Sequence, residues 1–354
     1  MATSPSNKVY ILAEDKSPAA KIRSPLGAVA EDVMGSVTAD QVMKKAGLNW
    51  RVSKQQLVTA DGVQVPSHVA ILREDTKQIL GVVGAGYEPL QNAEAFSFAD
   101  SLVDQGAMDY VGAGLFNDGG RIFIQGKIHR PDRDGDGGVG LAEVAPGDVI
   151  QPYFFLANGH DGSLSVRVQM VNTRVVCQNT FAMALSEGKK RKDSCISIKH
   201  TKNIAERMQL SKELLTWAGA EFSKFILAAR TLTKKNLTTK AAAKLFAESF
   251  GVESEGPALA EQGEQLKKRA DRLLVLFEDG VGNDSKYIRG TAWAAVNAVT
   301  QYLTHEARTA VRGADDGISE ERRAKLIASK RFESNLLGGN RRIAERAMEL
   351  ALSA

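Results

Sequence analysis

The apolar residues of this chain change period once, near Asn203, and that change limits the fold more than any single motif does. From Trp50 to Val171 they recur mostly at every second position, in short runs broken by turn signals. From Asn203 onward they recur at helical spacing. Alternation puts apolar side chains on one face of a strand, and a period near 3.6 gathers them along one stripe of a helix. Strands followed by helices define an α+β chain. Its first part is a mostly antiparallel sheet lobe, ordered β-β-β-α and then further strands and a helix, and a C-terminal helical lobe follows.

Local signals set the parts. Residues 1–38 are punctuated by Ser, Pro and Gly and read as an arm, residues 39–202 as the α+β core, and residues 203–354 as the helical domain. Thr38 with Gln41 three positions on is a helix-start signature, for a short helix ending near Gly47. Trp50, Val52 and Leu57-Val58, a turn at Asp61-Gly62, then Val69, Ile71 and the run Ile79 to Val83 predict three antiparallel strands. Asn92 is placed to cap a helix with Phe96, Ala99, Leu102 and Val103 on one face. Strands return over Met108–Phe116, Arg121–Ile128, Tyr153–Ala157 and Leu164–Val171. A helix is then expected from Asn172 or Thr173 through CQNTFAMAL, and a short strand at Ile196–Ile198. Later helices are expected over 203–230, 238–250, 258–278, 289–312, 318–330 and 340–353.

With 354 residues, 25% charged and 43% hydrophobic, the chain suits a globular protein with a sizeable core rather than a disordered one. No apolar run reaches the roughly eighteen residues of a spanning helix. MATSPSNKVYILAEDK lacks the pattern of a secretory signal. The two cysteines, Cys177 and Cys195, have no CxxC partner, which fits a reducing compartment and gives neither a zinc site nor a disulfide framework. A cytoplasmic protein without a membrane partner is the expectation. Net charge is +4, yet Ser186–Lys240 carries thirteen Lys or Arg against five Asp or Glu, an excess of eight that leaves the rest about four units acidic. Such asymmetry is the footprint of a polyanion binder.

No GxxxxGK[ST] occurs, which argues against a P-loop ATPase. The glycines of GVVGAGYEP are spaced GxxGxG, not GxGxxG, and close strand approach or a bulge accounts for them. Asp132–Glu143, DRDGDGGVGLAE, fits the ligand positions of a calcium-binding EF-hand loop. A strand rather than a helix enters it, so a solvated Asp-Gly loop is the favoured reading. His160-Asp161, Cys177 and His200 invite a Cys/His nucleophile. Against that, Cys177 lies among Val175, Val176 and Phe181, where a small buried hydrophobe is the default. HDGS also reads as a turn in which Asp161 bonds nearby backbone donors and Gly162 takes a positive φ. Trp293, Val296, Val299 and Leu303 fall at helical spacing and read as core. No catalytic residue, metal or cofactor is assigned.

Three blocks, LANGHDGS, NTRVVCQNTFAMAL and SIKHTKN, resemble those of a domain-of-unknown-function family of phage and plasmid proteins. AGLNWRV at Ala46–Val52, ILREDT at Ile71–Thr76, GYEPLQNAEAF at Gly86–Phe96 and RGTAWAAVNAVTQYLTHEAR extend the resemblance over most of the chain. The family names no activity. A helix leading into a Trp-bearing strand, two more strands with glycines at the end and then a helix is also an order similar to the core of ring-forming single-strand annealing proteins. That resemblance implies action without nucleotide hydrolysis.

These readings converge on binding of single-stranded DNA or RNA, with ATP-independent strand annealing in phage or plasmid recombination as the sharper form. A basic groove beside aromatic side chains is how unpaired strands are held. The expected basic contacts are Lys189, Lys190, Arg191, Lys192, Lys199, His200 and Lys202. Tyr153 and Phe155 are the expected stacking residues, with Arg167 and Arg174 as further cations. Arg167 alternates with Val166 and Val168 and faces away from them. Arg174 is expected at a helix start, where the dipole disfavours a cation, so it calls for an anionic partner, protein or phosphate. One short site would hold a strand weakly, so a homo-oligomer, in the sharper form a ring, is expected. The alternatives are a metal-dependent or Cys/His enzyme acting on nucleic acid, and a phage protein-interaction or structural factor.

Overall fold

The computed structural model of the protein describes residues 30–129, 140–164, 166–182, 204–251, 263–309 and 319–354. Its first half runs β1 (Glu31–Asp32), α1 (Ala39–Lys45), β2 (Val52–Val58), β3 (Gln64–Arg73), β4 (Ile79–Gly84), α2 (Asn92–Phe96), α3 (Asp100–Asp104), β5 (Met108–Phe116), β6 (Arg121–Ile128), β7 (Ala142–Ala145), β8 (Asp148–Gly159), β9 (Arg167–Arg174) and β10 (Asn179–Phe181). Helices follow: α4 (Ile204–Leu232), α5 (Thr239–Ser249), α6 (Gly263–Asp279), α7 (Ala292–Gln301), α8 (Glu320–Leu337) and α9 (Gly339–Ser353). Strands thus precede helices in an α+β fold, as the change of period implies.

The start of α1 is as expected: Thr38 Oγ1 accepts from Gln41 N at 3.3 Å, and Gln41 Oε1 accepts from Val37 N at 2.9 Å. β2, β3 and β4 form a three-stranded antiparallel sheet. Among the described residues, a second antiparallel sheet has the order β1-β5-β6-β8-β9-β10, with β7 paired to the start of β8. Along β8 the side chains alternate between two cores. Phe154 and Leu156 join the cluster of Val52, Ile71, Val83 and Phe96, towards the small sheet and α1–α2. Phe155 and Ala157 join Phe123 with Phe332 and Leu336 of α8. Burial on both faces is why this stretch reads as an almost continuous apolar run.

The helices gather around Trp293 of α7, and the sheet contributes Ile150 and Phe181 to that cluster. Phe181 stacks on Trp293 with ring centroids 5.5 Å apart, a pairing worth about 0.5–1.5 kcal/mol beyond its buried area. α4 links the two regions. Its Ala218 packs in the sheet cluster, while Phe222, Phe225, Ile226 and Ala229 pack in the helical one at helical spacing.

Three expectations are corrected. The stretch from Asn172 is not a helix: β9 continues to Arg174, and Asn179–Phe181 returns antiparallel against Asn172–Arg174. Gln178, at φ 54°, closes that turn by donating its N–H to Arg174 O at 2.8 Å. Val171, Thr173, Val175 and Val176 are β-branched and favour the extended backbone. The helix expected over 289–312 ends at Gln301 and passes into a π-helical turn, Tyr302–Glu306. There Arg331 of α8 donates to His305 O and Ala307 O at 2.6 and 3.0 Å, giving the turn's free carbonyls partners outside the helix. Asn92 is not the cap of α2 but its first residue; Gln91 precedes it, and Glu94 accepts from Gln91 N at 3.2 Å. The expected strand Ile196–Ile198 and the boundary at residue 202 lie outside the described residues. Among the described residues, no helix is long and apolar enough to cross a membrane.

Candidate functional site

The His160–Ser163 turn leaves the end of β8 and is fixed from three sides. His160 N and Asp161 N both donate to Gly120 O, at 2.8 and 3.2 Å. Asp161 Oδ1 accepts from Ser163 N at 2.9 Å and Gly162 has φ 75°, which is the Asx-type turn that HDGS implies. β4 passes so near that a Cβ on Gly81 would lie 2.6 Å from Asp161 Cα. Gly81 therefore serves close approach, as expected, while Gly84 and Gly86 have nothing within 4 Å of an added Cβ. Arg121 ties the same turn to α8, donating through Nε to Asp161 Oδ2 at 3.1 Å and Ser163 Oγ at 2.9 Å, and through Nη1 to Glu333.

His160 is wholly buried, and its Nε2 lies 2.7 Å from Asn92 Oδ1. Asn92 Nδ2 donates to Leu48 O at 2.8 Å, which leaves the amide oxygen as acceptor. His160 therefore carries its proton on Nε2, and Nδ1 is the bare nitrogen. Burial lowers the His160 pKa to about 4, although Asp161 nearby pulls the other way. At neutral pH the ring is uncharged. Its centroid is 5.3 Å from the Trp50 ring, over which the Arg73 guanidinium lies at 4.5 Å. Sequence reasoning found the turn but missed Asn92, Trp50 and Arg73 as its neighbours.

A second buried cluster surrounds Arg174. The anionic partner expected for it is a protein carboxylate: Arg174 Nε donates to Asp148 Oδ1, and both side chains are nearly inaccessible. Asp148 Oδ2 accepts from Trp293 Nε1 at 2.7 Å. Arg174 also donates to Val281 O and Gly282 O, each at 3.0 Å, and to Asn283 Oδ1 at 3.3 Å. It clasps the loop between α6 and α7 onto the sheet. Buried charge of this kind is tolerated because each of the three guanidinium nitrogens reaches an acceptor. Cys177 lies against it, with Sγ 3.8 Å from Nη1. Burial raises the thiol's pKa, against the pull of Arg174, so it stays protonated at neutral pH and is a poor nucleophile. His305 Nε2 sits 2.9 Å from Cys177 O, and His160 belongs to the other cluster.

The expected strand contacts fare differently. Across the sheet face that meets α8, Lys127, Tyr153 and Val171 form one cross-strand row, Gln125, Phe155 and Gln169 the next, and Phe123, Ala157 and Arg167 a third. Tyr153 is half-buried, and burial raises its phenol pKa. Phe155 is wholly buried, stacked on Phe123 at 5.3 Å and edge-on to Phe332 at 6.3 Å. It packs the core and presents no face to a base, because strands β6, β8 and α8 enclose it. Arg174 is likewise corrected: it is fully enclosed by Asp148 and the 281–283 loop, so no phosphate can reach it in this fold. Arg167 points away from Val168, as alternation requires, and its buried Nε has no hydrogen-bond partner among the described residues. Lys189, Lys190, Arg191, Lys192, Lys199, His200 and Lys202 lie outside the described residues, as do Asp132, Asp134 and Asp136. Glu143, the last residue of that acidic motif, is in β7 and accepts from Gly147 N at 2.8 Å. Among the described residues, no group of three or more His, Cys, Asp or Glu is placed to hold a metal ion.

Fold and clusters together define an α+β protein in which the conspicuous buried polar groups are tied to one another. A family model described as Domain of unknown function (DUF932) matches residues 79–328, and the chain belongs to that family. The match runs from β4 into α8 and takes in the Arg174 cluster and His160 with Asn92, while Trp50 and Arg73 precede it. No curated protein and no solved structure matches the chain.

Proposed function

We propose that the protein binds single-stranded nucleic acid and, in a sharper form, anneals complementary strands without ATP during phage or plasmid recombination. The observation that carries this reading is the thirteen Lys or Arg against five Asp or Glu over Ser186–Lys240, with six of the thirteen at Lys189, Lys190, Arg191, Lys192, Lys199 and Lys202. When such a segment neutralises phosphates, the polyanion's condensed counter-ions are released into solution with a gain in entropy. In the sequence the segment follows closely on β10, whose last residue is Phe181. Tyr153 and Arg167 on that sheet are the described residues we retain as contacts. The order α1, β2, β3, β4, α2 supports the sharper form, since it is the helix–three-strand–helix order expected of an annealing core. That likeness is one of topology, and function still has to be argued from the site.

In this reading the protein is a cytoplasmic homo-oligomer. Each copy presents a short basic site, and repetition converts later contacts with one strand into intramolecular ones. Light scattering at micromolar concentration, with and without a long single-stranded oligonucleotide, tests the assembly. Fluorescence-detected pairing of complementary strands tests the activity. A strict monomer in both conditions, with no acceleration of pairing, would remove annealing from consideration.

A further inference from the structure

A cleft of about 890 Å3 opens between α6, the π-helical turn Tyr302–Glu306 and the start of α9. Its size lies in the range of roughly 300–1,000 Å3 typical of small-molecule sites. The wall is held firmly: Arg331 binds the carbonyls of His305 and Ala307, and Arg272 donates to both oxygens of Glu306 at 2.6 Å. Departures from α-helical winding such as this one cluster at functional sites.

The charges in the cleft do not cancel. Lys268 is paired with Glu264 at 2.6 Å, and Glu306 is taken by Arg272. Arg269 and Arg308, which also line the cleft, have no carboxylate partner among the described residues. The Arg269 guanidinium lies 4.3 Å over the Phe250 ring, and Phe250 meets Tyr302 edge-on at 6.0 Å. The ring contact holds the guanidinium in place, and burial lowers its pKa by disfavouring the charge. A partly desolvated cation without a counter-ion is costly unless an anion completes it. A planar fork suits phosphate oxygens better than a lone halide.

We propose that this cleft binds a phosphate-bearing ligand of nucleotide size, with Arg269 and Arg308 on the phosphate and Tyr302 beside the organic part. The source is either a free nucleotide or one nucleotide unit of a longer strand. None of the residues lining the cleft belongs to the basic segment, and the proposal does not depend on it.

The test uses the full chain with AMP, adenosine and a twenty-nucleotide oligo-dT as calorimetric titrants. Arg308→Ala removes an exposed cation with no carboxylate partner among the described residues, and Arg269→Lys keeps the charge but loses the fork. AMP should bind at least tenfold more tightly than adenosine. Each substitution should weaken AMP by roughly tenfold, the size expected of one charge-assisted hydrogen bond. If only the oligonucleotide binds and both variants weaken it, the cleft lies on the strand's path and the proposal stands. If both variants keep wild-type circular dichroism and leave every titrant's affinity unchanged, the proposal fails. Loss of oligonucleotide binding in the wild type, with AMP binding intact, would count only against the strand-binding reading.

Discussion

Mild acid should destabilise this protein through His160, before most carboxylates titrate. The imidazole is wholly buried, donates from Nε2 to Asn92, and has its pKa lowered from 6.5 to about 4, chiefly by burial. In the unfolded chain the ring takes up a proton near pH 6.5, whereas in the folded chain it does so only near pH 4. Stability present above pH 6.5 is therefore lost as pH falls through the window between these values. At pH 5 the unfolded ring is almost fully charged and the folded ring almost fully neutral. That difference of about 1.5 pH units is worth about 2 kcal/mol, at roughly 1.36 kcal/mol per unit. His305 is shifted the same way by burial, to about 4, so the wild type carries both losses. His160→Gln keeps an amide donor for Asn92 Oδ1 and removes one titration. Urea unfolding of both proteins at pH 7.5 and 5.0 isolates the contribution. The wild type should lose about 2 kcal/mol more than the variant over that interval; equal losses would refute a neutral, buried His160.

Other substitutions test the remaining contacts. Asp148→Asn leaves Arg174 buried without its counter-charge and should cost about 3–5 kcal/mol in urea melts; a cost below about 1 kcal/mol would mean that Arg174 does not depend on Asp148. Gly81→Ala drives a Cβ to 2.6 Å from the Asp161 backbone and should lower the melting temperature sharply, while Gly84→Ala, with nothing within 4 Å, should change it little. Cys177→Ala should fold, lose roughly 1 kcal/mol of packing, and keep any nucleic-acid activity; a folded variant with no activity would bring the Cys/His enzyme forward.

What was legible in the sequence was local. The β2–β3–β4 meander follows from alternation around Asp61-Gly62, and α1 from Thr38 and Gln41, because each signal acts within a few residues. The HDGS turn was legible for the same reason, since Asp161 and Ser163 are two residues apart. The run from Asn172 to Phe181 was misread because its fate is decided elsewhere. Pairing with β8 holds Arg174 in a strand, and Phe181 is drawn in against Trp293, far along the chain. Arg174 was rightly expected to need an anion. Its partner, Asp148, lies 26 residues away, and nothing at that spacing marks the pair. The tautomer of His160 rests on Asn92, 68 residues away, whose own orientation is set by Leu48 O. Long-range pairing of polar groups has no sequence period, so only the folded backbone reveals it.

The central claim is that the protein holds a single strand by its phosphates, and binding of a labelled single-stranded oligonucleotide across a salt titration tests it most directly. Six contacts, from Lys189, Lys190, Arg191, Lys192, Lys199 and Lys202, at about −0.7 each, give a log–log salt slope of roughly −4. Charge reversal at residues 189–192 should remove most of that slope and leave the melting temperature near the wild-type value. A wild-type protein that fails to bind the strand at low salt, or a reversed variant with an unchanged slope, would contradict the account.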